Sequence, residues 1–134
     1  MKEFISIAKS MHTSSNKVAF HRKAKQVLVA LAEALALRKG SYDIRSNKAG
    51  TAVRGEVILH GEQVYVMLGE NPKEFMWRLC KGQTDFSGGT NVHCAWESLL
   101  DINGLARKIK SEIEDNKHLL GVKHAVLCAE EDVF

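Results

Sequence analysis

The length, composition and charge of the chain set its broad class. Its 134 residues are 45% hydrophobic and 26% charged, with one proline. A chain of this size buries roughly two thirds of its unfolded surface on folding, so it can form a core without disulfides. The apolar content excludes a disordered chain, and a formal net charge of +3 is too small to identify a partner by itself. We predict a single ligand-binding domain over residues 1–134.

The cysteines and the N-terminal segment indicate the compartment in which the protein is expected to work. Three cysteines are an odd number and show no CxxC spacing, which favours neither a disulfide framework nor a zinc ribbon. Residues 1–12 are too polar for a signal peptide, and no stretch approaches the roughly 18 apolar residues of a membrane span. We therefore expect a protein of the reducing cytoplasm that is neither secreted nor embedded in a membrane.

Residues 1–39 are predicted to form a helical N-terminal part. A first short helix is indicated by Phe4, Ala8 and Met11, which recur at helical spacing, and residues 13–16 supply a polar break and an N-cap. A second, longer helix follows. Its apolar stripe comprises Phe20, Ala24, Val27, Leu28, Leu31 and Leu35. Gly40 is predicted to end this helix directly after Arg38 and Lys39.

Residues 41–81 are predicted to form antiparallel strands, because their apolar residues recur with period two. The predicted segments are Tyr42 to Arg45, a turn over Ser46 to Gly50, a strand from Val53 to Leu59, a turn through His60 and Gly61, a strand from Val64 to Leu68, and a third member from Phe75 to Lys81. The middle two strands are expected to pair as a hairpin.

The C-terminal part begins with a polar, glycine-rich loop at residues 82–91, and helices are predicted over 92–116. A short packed helix is expected at Trp96, Leu99 and Leu100. Asp101 can cap a longer one whose buried face comprises Ile102, Leu105, Ala106, Ile109 and Ile113. Residues 122–128 fit an edge strand or a helical end equally. The predicted fold class is α+β, a small antiparallel sheet with an N-terminal helical pair and a C-terminal helix.

The sequence lacks the motifs that indicate catalysis or metal binding. The chain has no nucleophile elbow, Walker loop, dinucleotide fingerprint or HExxH. Cys94 follows His93, but adjacent residues point in different directions. His124 and Cys128 are four apart, and two ligands do not complete a structural zinc site. We predict a binding protein without catalytic residues, metal or cofactor.

The candidate site is the loop and its flanks. It comprises Arg78, Lys81, Phe86, Gly88, Gly89, Thr90 and Asn91. An aromatic ring can stack on a base, paired glycines let backbone N–H groups converge on phosphate, and arginine binds phosphate in bidentate fashion. Asn91 can bind a base edge or a ribose hydroxyl. Two simpler interpretations stay open: Phe86 anchors the loop in the core, and the glycines only make a turn.

Two strings together carry a family resemblance: DIRSNKAGTAVRGEVILHG at residues 43–61 and FMWRLCKGQTDFSGGTN at 75–91, followed by LARKI at 105–109. They resemble the first family of phage Thoeris anti-defence proteins. The likeness runs from the TSSNKVAFHRKA segment onward. Arg54 departs from the family pattern, in which a small polar residue is expected at this position. The departure affects which ligand the protein is expected to prefer.

The resemblance implies a phage immune-evasion sponge that works in the host bacterial cytoplasm. Such a protein binds, without cleaving, the cyclic ADP-ribose isomers made by TIR-domain enzymes, and in some relatives also cyclic oligonucleotides. It also implies a homo-oligomer, with a hexamer as the first expectation, and pockets between subunits. The matching pocket positions are Phe86, Asn91 and Arg107, then Arg78 and Arg45, with Trp77 competing with Phe86 for stacking on the base.

Two alternatives come from other classes. A small phage nucleic-acid-binding protein would use the basic cluster Lys17, Arg22, Lys23 and Lys25 against phosphates, and its binding would depend strongly on salt. An enzyme that degrades the same signal would need a base near the loop, such as His93 or Glu97.

Overall fold

The structure is a computed structural model, and it describes residues 1–10, 14–47, 55–85 and 87–117. The helices are α1 (Lys2–Lys9), α2 (Ser14–Ala34), a 3₁₀ helix (Trp96–Asp101) and α3 (Ile102–Asp115). The strands are β1 (Tyr42–Asn47), β2 (Glu56–Gly61), β3 (Val64–Leu68), β4 (Glu74–Leu79) and β5 (Val92–Ala95). The predicted α+β class is confirmed, with two N-terminal helices, an antiparallel sheet and a C-terminal helix.

The sheet is a five-stranded antiparallel meander in the order β1-β2-β3-β4-β5. Side chains alternate between its two faces. The inner face packs on the helices and carries Tyr42, Ile44, Val57, Leu59, Val64, Val66, Leu68, Phe75, Trp77, Leu79, Val92 and Cys94. The outer face carries Arg45, Ile58, His60, Tyr65, Met67, Met76, Arg78 and His93.

An aromatic cluster joins the N-terminal helices to the 3₁₀ helix. The Phe4 ring stacks on Phe20 at a centroid distance of 5.5 Å and meets Trp96 edge-on at 5.8 Å. Phe75 of β4 lies 5.5 Å from Trp96 on another side. The Trp96 Nε1 donates a 2.9 Å hydrogen bond to the Asn71 carbonyl, so the buried indole has its polar atom satisfied.

The predicted end of α2 at Gly40 is wrong, because the helix ends at Ala34. Ala36 adopts a left-handed conformation at φ 56°, and its N–H donates to the Glu33 carbonyl while that of Leu37 donates to Ala32. These two bonds form a Schellman motif, which ordinarily takes glycine at the left-handed position. Because this position is an alanine, the sequence did not indicate that the helix ends here. Gly40 also has positive φ, but it lies in the following turn.

Three strand assignments and the burial of one residue differ from the prediction. β1 continues through Asn47, and β2 includes His60 and Gly61, so the hairpin turn is Glu62 and Gln63. Residues 92–95 form β5 instead of a helix, because Val92 and Cys94 complete the inner face beside β4. Leu100 is exposed, whereas Trp96 and Leu99 are buried as predicted. Met11, Val53, Arg54 and residues 122–128 lie outside the described residues.

The hairpin, the third predicted strand and α3 are confirmed. β2 and β3 pair as predicted, and β4 covers most of the segment from Phe75 to Lys81. The Asp101 carboxylate accepts a 3.0 Å hydrogen bond from the Gly104 N–H at the start of α3. This is the N-cap bond that the sequence predicts.

Candidate functional site

The loop between β4 and β5 begins with a small hairpin of its own. Gly82 and Asp85 exchange two backbone hydrogen bonds, of 3.2 and 3.1 Å, and the Lys81 N–H donates to the Ser87 carbonyl at 3.0 Å. The Ser87 hydroxyl and N–H both donate to one Asp85 carboxylate oxygen, and these two bonds lower the pKa of Asp85. The first half of the loop is therefore ordered by its own polar groups.

This half of the loop leans over the outer face of the sheet. His60 of β2 is 3% exposed, and its Nε2 lies 2.9 Å from the Gly82 carbonyl. Its Nδ1 lies 3.2 Å from an Arg45 guanidinium nitrogen, which can only donate. Nδ1 must therefore accept, so the neutral ring carries its proton on Nε2 and donates it to Gly82. Burial, opposed in part by the bond to Gly82, lowers the pKa of His60.

The lowered pKa of His60 predicts a loss of stability on mild acidification. As the pH falls below about 6.5, unfolded His60 takes up a proton while folded His60 stays neutral. The unfolded state then holds more protons, so the free energy of unfolding falls with pH until the lower folded pKa is reached. Urea unfolding of the wild type and of His60→Gln across this range measures the effect.

The comparison of the wild type with His60→Gln isolates this ring. His60→Gln should flatten the slope below pH 6.5. Equal slopes for the wild type and His60→Gln would contradict the assignment of the pH dependence to this ring.

The second half of the loop is held against β4. A Cβ at Gly89 would stand 2.5 Å from the Leu79 carbonyl oxygen, so only glycine allows this approach. Gly88 has φ +105°, a conformation that favours glycine. The Arg78 guanidinium donates to the Gly89 carbonyl and, at 3.1 Å, to the Asn91 side-chain oxygen. Arg78 and Asn91 thus fasten the loop to the sheet.

A cavity of about 360 Å³ lies on the helix side of this fastened loop. It is lined by Trp77, Leu79, Gly88, Gly89, Thr90, Val92, Glu112 and Asn116. Trp77 is 1% exposed, and its Nε1 is buried without a hydrogen-bond partner among the described residues. An unpaired buried N–H costs about 1 to 3 kcal/mol. A ligand with an acceptor atom at this position would remove that cost.

The opposite wall of the cavity is the C-terminal end of α3. The Asn116 amide donates to the Glu112 carbonyl at 2.8 Å and to its carboxylate at 3.3 Å, so the two side chains are coupled. The carboxylate can accept from an amine or a hydroxyl, and it repels phosphate. The cavity therefore suits a flat, uncharged group that carries both acceptors and donors.

The predicted site residues fall into four groups. Trp77, Gly88, Gly89 and Thr90 line the cavity. Arg78 and Asn91 are brought to the same loop, where they bind it. Arg45 contacts His60 on the outer face, and Arg107 lies on the exposed side of α3, so neither joins the cavity. Phe86 lies outside the described residues.

The position of Trp77 also limits its role. With 1% of its surface exposed on the inner face, the ring has no open face on which a base could stack. The family resemblance named Trp77 as a competitor of Phe86 for stacking on the base. The group of Trp77 that lacks a partner among the described residues is its N–H.

Glu112 and Asn116 were missed by sequence reasoning. They follow Leu105 and Ile109 by seven residues each, so they continue the buried stripe of α3 with polar side chains. A polar residue at the end of an apolar stripe is a signal for a cavity between the helix and the sheet.

The residues considered for catalysis do not meet at this cavity. His93 and Cys94 point to opposite faces, opposite Met76 and Phe75 respectively. Glu97 pairs with Lys9 of α1, which lowers its pKa, and neither Glu97 nor His93 is among the described residues that line the cavity.

Metal ligands and membrane spans were also sought in the described parts of the chain. There, no group of three or more His, Cys, Asp or Glu side chains could hold a metal ion. Over the same ranges, no helix combines the length and the apolar character needed to cross a bilayer. Burial raises the pKa of the Cys80 thiol to about 11.

The basic cluster on α2 is divided. Arg22 and Lys25 are exposed on one side of the helix, between Val18 and Val29, whereas Lys23 pairs with Glu3 of α1 at 3.1 Å. Part of the cluster therefore joins α1 to α2.

Comparison with known proteins adds no relative. No protein-family model matches the sequence. No curated protein and no solved structure matches the chain significantly.

Proposed function

We propose that the protein binds and sequesters a small cyclic nucleotide signal without cleaving it, and that the cavity beneath the loop at residues 88–91 receives one nucleoside of that ligand. The observation that carries the proposal is Trp77, which lines the cavity and whose buried N–H has no partner among the described residues. A base or ribose offers the acceptor that this N–H lacks.

The chemistry of the two walls supports a nucleoside over a bare phosphate. Trp77 supplies a donor, and Glu112 supplies an acceptor for an exocyclic amine or a ribose hydroxyl. Leu79 and Val92 give the apolar surface that a flat ring needs. The phosphates belong outside, at the mouth, where the Lys81 side chain runs beside Gly88.

The ligand class comes from the family resemblance. It indicates a cyclic ADP-ribose isomer of the kind made by TIR-domain enzymes, and hence a role in blocking Thoeris-type antiviral signalling. Ligand pockets commonly measure about 300 to 1,000 Å³, so 360 Å³ holds about one nucleoside of such a molecule. The rest of the ligand then needs a second wall, which another copy of the chain would supply in a homo-oligomer.

A capture experiment tests the proposal. The purified protein is incubated with a TIR-derived cyclic ADP-ribose isomer, freed of unbound ligand and denatured by heat, and the released material is identified by chromatography. We expect intact ligand. Trp77→Phe keeps an aromatic side chain and removes the pyrrole part of the indole with its N–H, so it should weaken binding by about tenfold, the equivalent of one hydrogen bond.

A matched pair on α3 controls for charge. Glu112→Gln changes the cavity wall, whereas Glu114→Gln removes the same charge from an exposed position in the same part of the helix. We expect only the former to reduce capture. Breakdown products would indicate an enzyme instead, and no captured ligand would favour the nucleic-acid-binding alternative. Equal capture by Trp77→Phe, Glu112→Gln and the wild type would place the ligand elsewhere.

A further inference from the structure

A second cavity, of about 150 Å³, lies on the outer face, away from the loop. Three side chains in its lining are direct neighbours across strands: Met67 pairs with Met76, and Met76 pairs with His93. Residues directly opposite each other in antiparallel strands have Cβ atoms about 4.5 to 5.5 Å apart. Two thioethers and one imidazole therefore stand side by side in a single row.

These three groups form a soft ligand set. Thioether sulfur and imidazole nitrogen suit monovalent copper, whereas Mg²⁺ and Ca²⁺ prefer oxygen. Methionine has three rotatable bonds, so its sulfur can move to a shared ion without moving the backbone. Met76 is 8% exposed while His93 is exposed, which gives the cavity a shielded end and an open end for entry.

The surroundings of the row favour a cation. The Glu74 carboxylate lies 3.5 Å from His93 Nδ1, so Nε2 remains for a metal ion, in the carboxylate–histidine–metal arrangement that orients a ligand ring. Glu70 also lines the cavity. Two carboxylates beside a cavity stabilise a positive charge within it.

We propose that Met67 Sδ, Met76 Sδ and His93 Nε2 form a binding site for one soft monovalent metal ion of the Cu(I) class. The site is independent of the nucleotide cavity, because it lies on the opposite face of the sheet and their described lining residues do not overlap.

Silver ion tests the site, since it has the same charge and softness as Cu(I) and does not change its oxidation state. Cysteine thiolates would compete, so the titration uses Cys94→Ala/Cys128→Ser. Cys80 stays, because it is fully buried and out of reach of the added ion. The chain has four methionines, and with ¹³C-labelled methyl groups each gives its own NMR signal.

We expect one equivalent of Ag⁺ to shift the Met67 and Met76 methyl signals and the His93 ring signals. The signal of Met1 serves as an internal control and should stay in place. Met76→Leu conserves volume and should weaken binding by at least about tenfold. Glu74→Gln should weaken it by about tenfold through the orientation of His93.

If the double cysteine variant does not fold, the wild-type protein can be titrated instead. In the unaltered chain, the same methyl signals should shift after the accessible thiols are saturated. Equal shifts at all four methionines, or no shift at Met67 and Met76 with one available equivalent, would overturn the proposal. Unchanged affinity in both Met76→Leu and Glu74→Gln would do the same.

Discussion

Replacing Trp96 with alanine is expected to lower the free energy of unfolding by about 3 to 5 kcal/mol. The Trp96 ring is fully buried and contacts Phe4 and Phe75 at centroid distances of 5.8 and 5.5 Å. Its loss would leave a cavity where α1, β4 and the 3₁₀ helix meet. Domains are typically stable by only about 5 to 15 kcal/mol, so this variant should unfold at much lower urea, as measured by far-ultraviolet circular dichroism.

Two further variants test whether the stability lost in Trp96→Ala comes from the aromatic cluster. Trp96→Phe keeps most of the packing and leaves the Asn71 carbonyl without its 2.9 Å hydrogen bond, so a smaller loss of about 1 to 3 kcal/mol is expected. Val18→Ala removes an exposed apolar side chain and should change stability by less than about 0.5 kcal/mol. If Trp96→Ala unfolds at the same urea concentration as Val18→Ala, the aromatic cluster does not stabilise the fold.

Replacing Gly89 with alanine is expected to have the largest effect on ligand capture. The new Cβ would stand 2.5 Å from the Leu79 carbonyl oxygen, which belongs to the backbone of β4 and cannot turn away as a side chain would. The loop must therefore move outward from the wall of the cavity. Overpacking of this kind costs about 1 to 3 kcal/mol of stability, measured by urea unfolding. Capture of the cyclic ADP-ribose isomer should fall below detection.

Gly82 supplies the matched control in the same loop. A Cβ there meets nothing within 4 Å, and its φ is not in the left-handed range. Gly82→Ala is therefore expected to change stability by less than about 0.5 kcal/mol and to leave capture intact. Capture by Gly89→Ala at the level of Gly82→Ala would show that the close contact of the loop with β4 does not shape the ligand site.

The elements that sequence patterns predicted well are those with long, regular periodicity. α3 repeats its apolar side chains over four turns and has an N-cap at Asp101, and the β2–β3 hairpin alternates over both strands. β5 was missed because it is only four residues long. Its two inward positions, Val92 and Cys94, are too few to show the alternating pattern from which a strand is predicted. The end of α2 was missed because Ala36 adopts a left-handed conformation that its residue type disfavours.

The site was only partly predictable for a different reason. The loop glycines, Arg78 and Asn91 stand near one another in the chain, so local sequence grouped them. The distinction between Thr90, which lines the cavity, and Arg78, which fastens the loop, depends on contacts formed only in the fold. Glu112 reaches the cavity from another element, and a single sequence does not show that juxtaposition.

The meander order of the strands has a consequence for how the chain folds. Every strand pairs with the strand before or after it in the sequence, so each pairing closes only the segment between two neighbouring strands. The entropy cost of closing such short segments is small, and folds dominated by local pairing have low contact order and fold quickly. The contact of Phe4 with Trp96 is different, since it closes most of the described chain. The sheet can therefore assemble before α1 docks on α2 and the 3₁₀ helix.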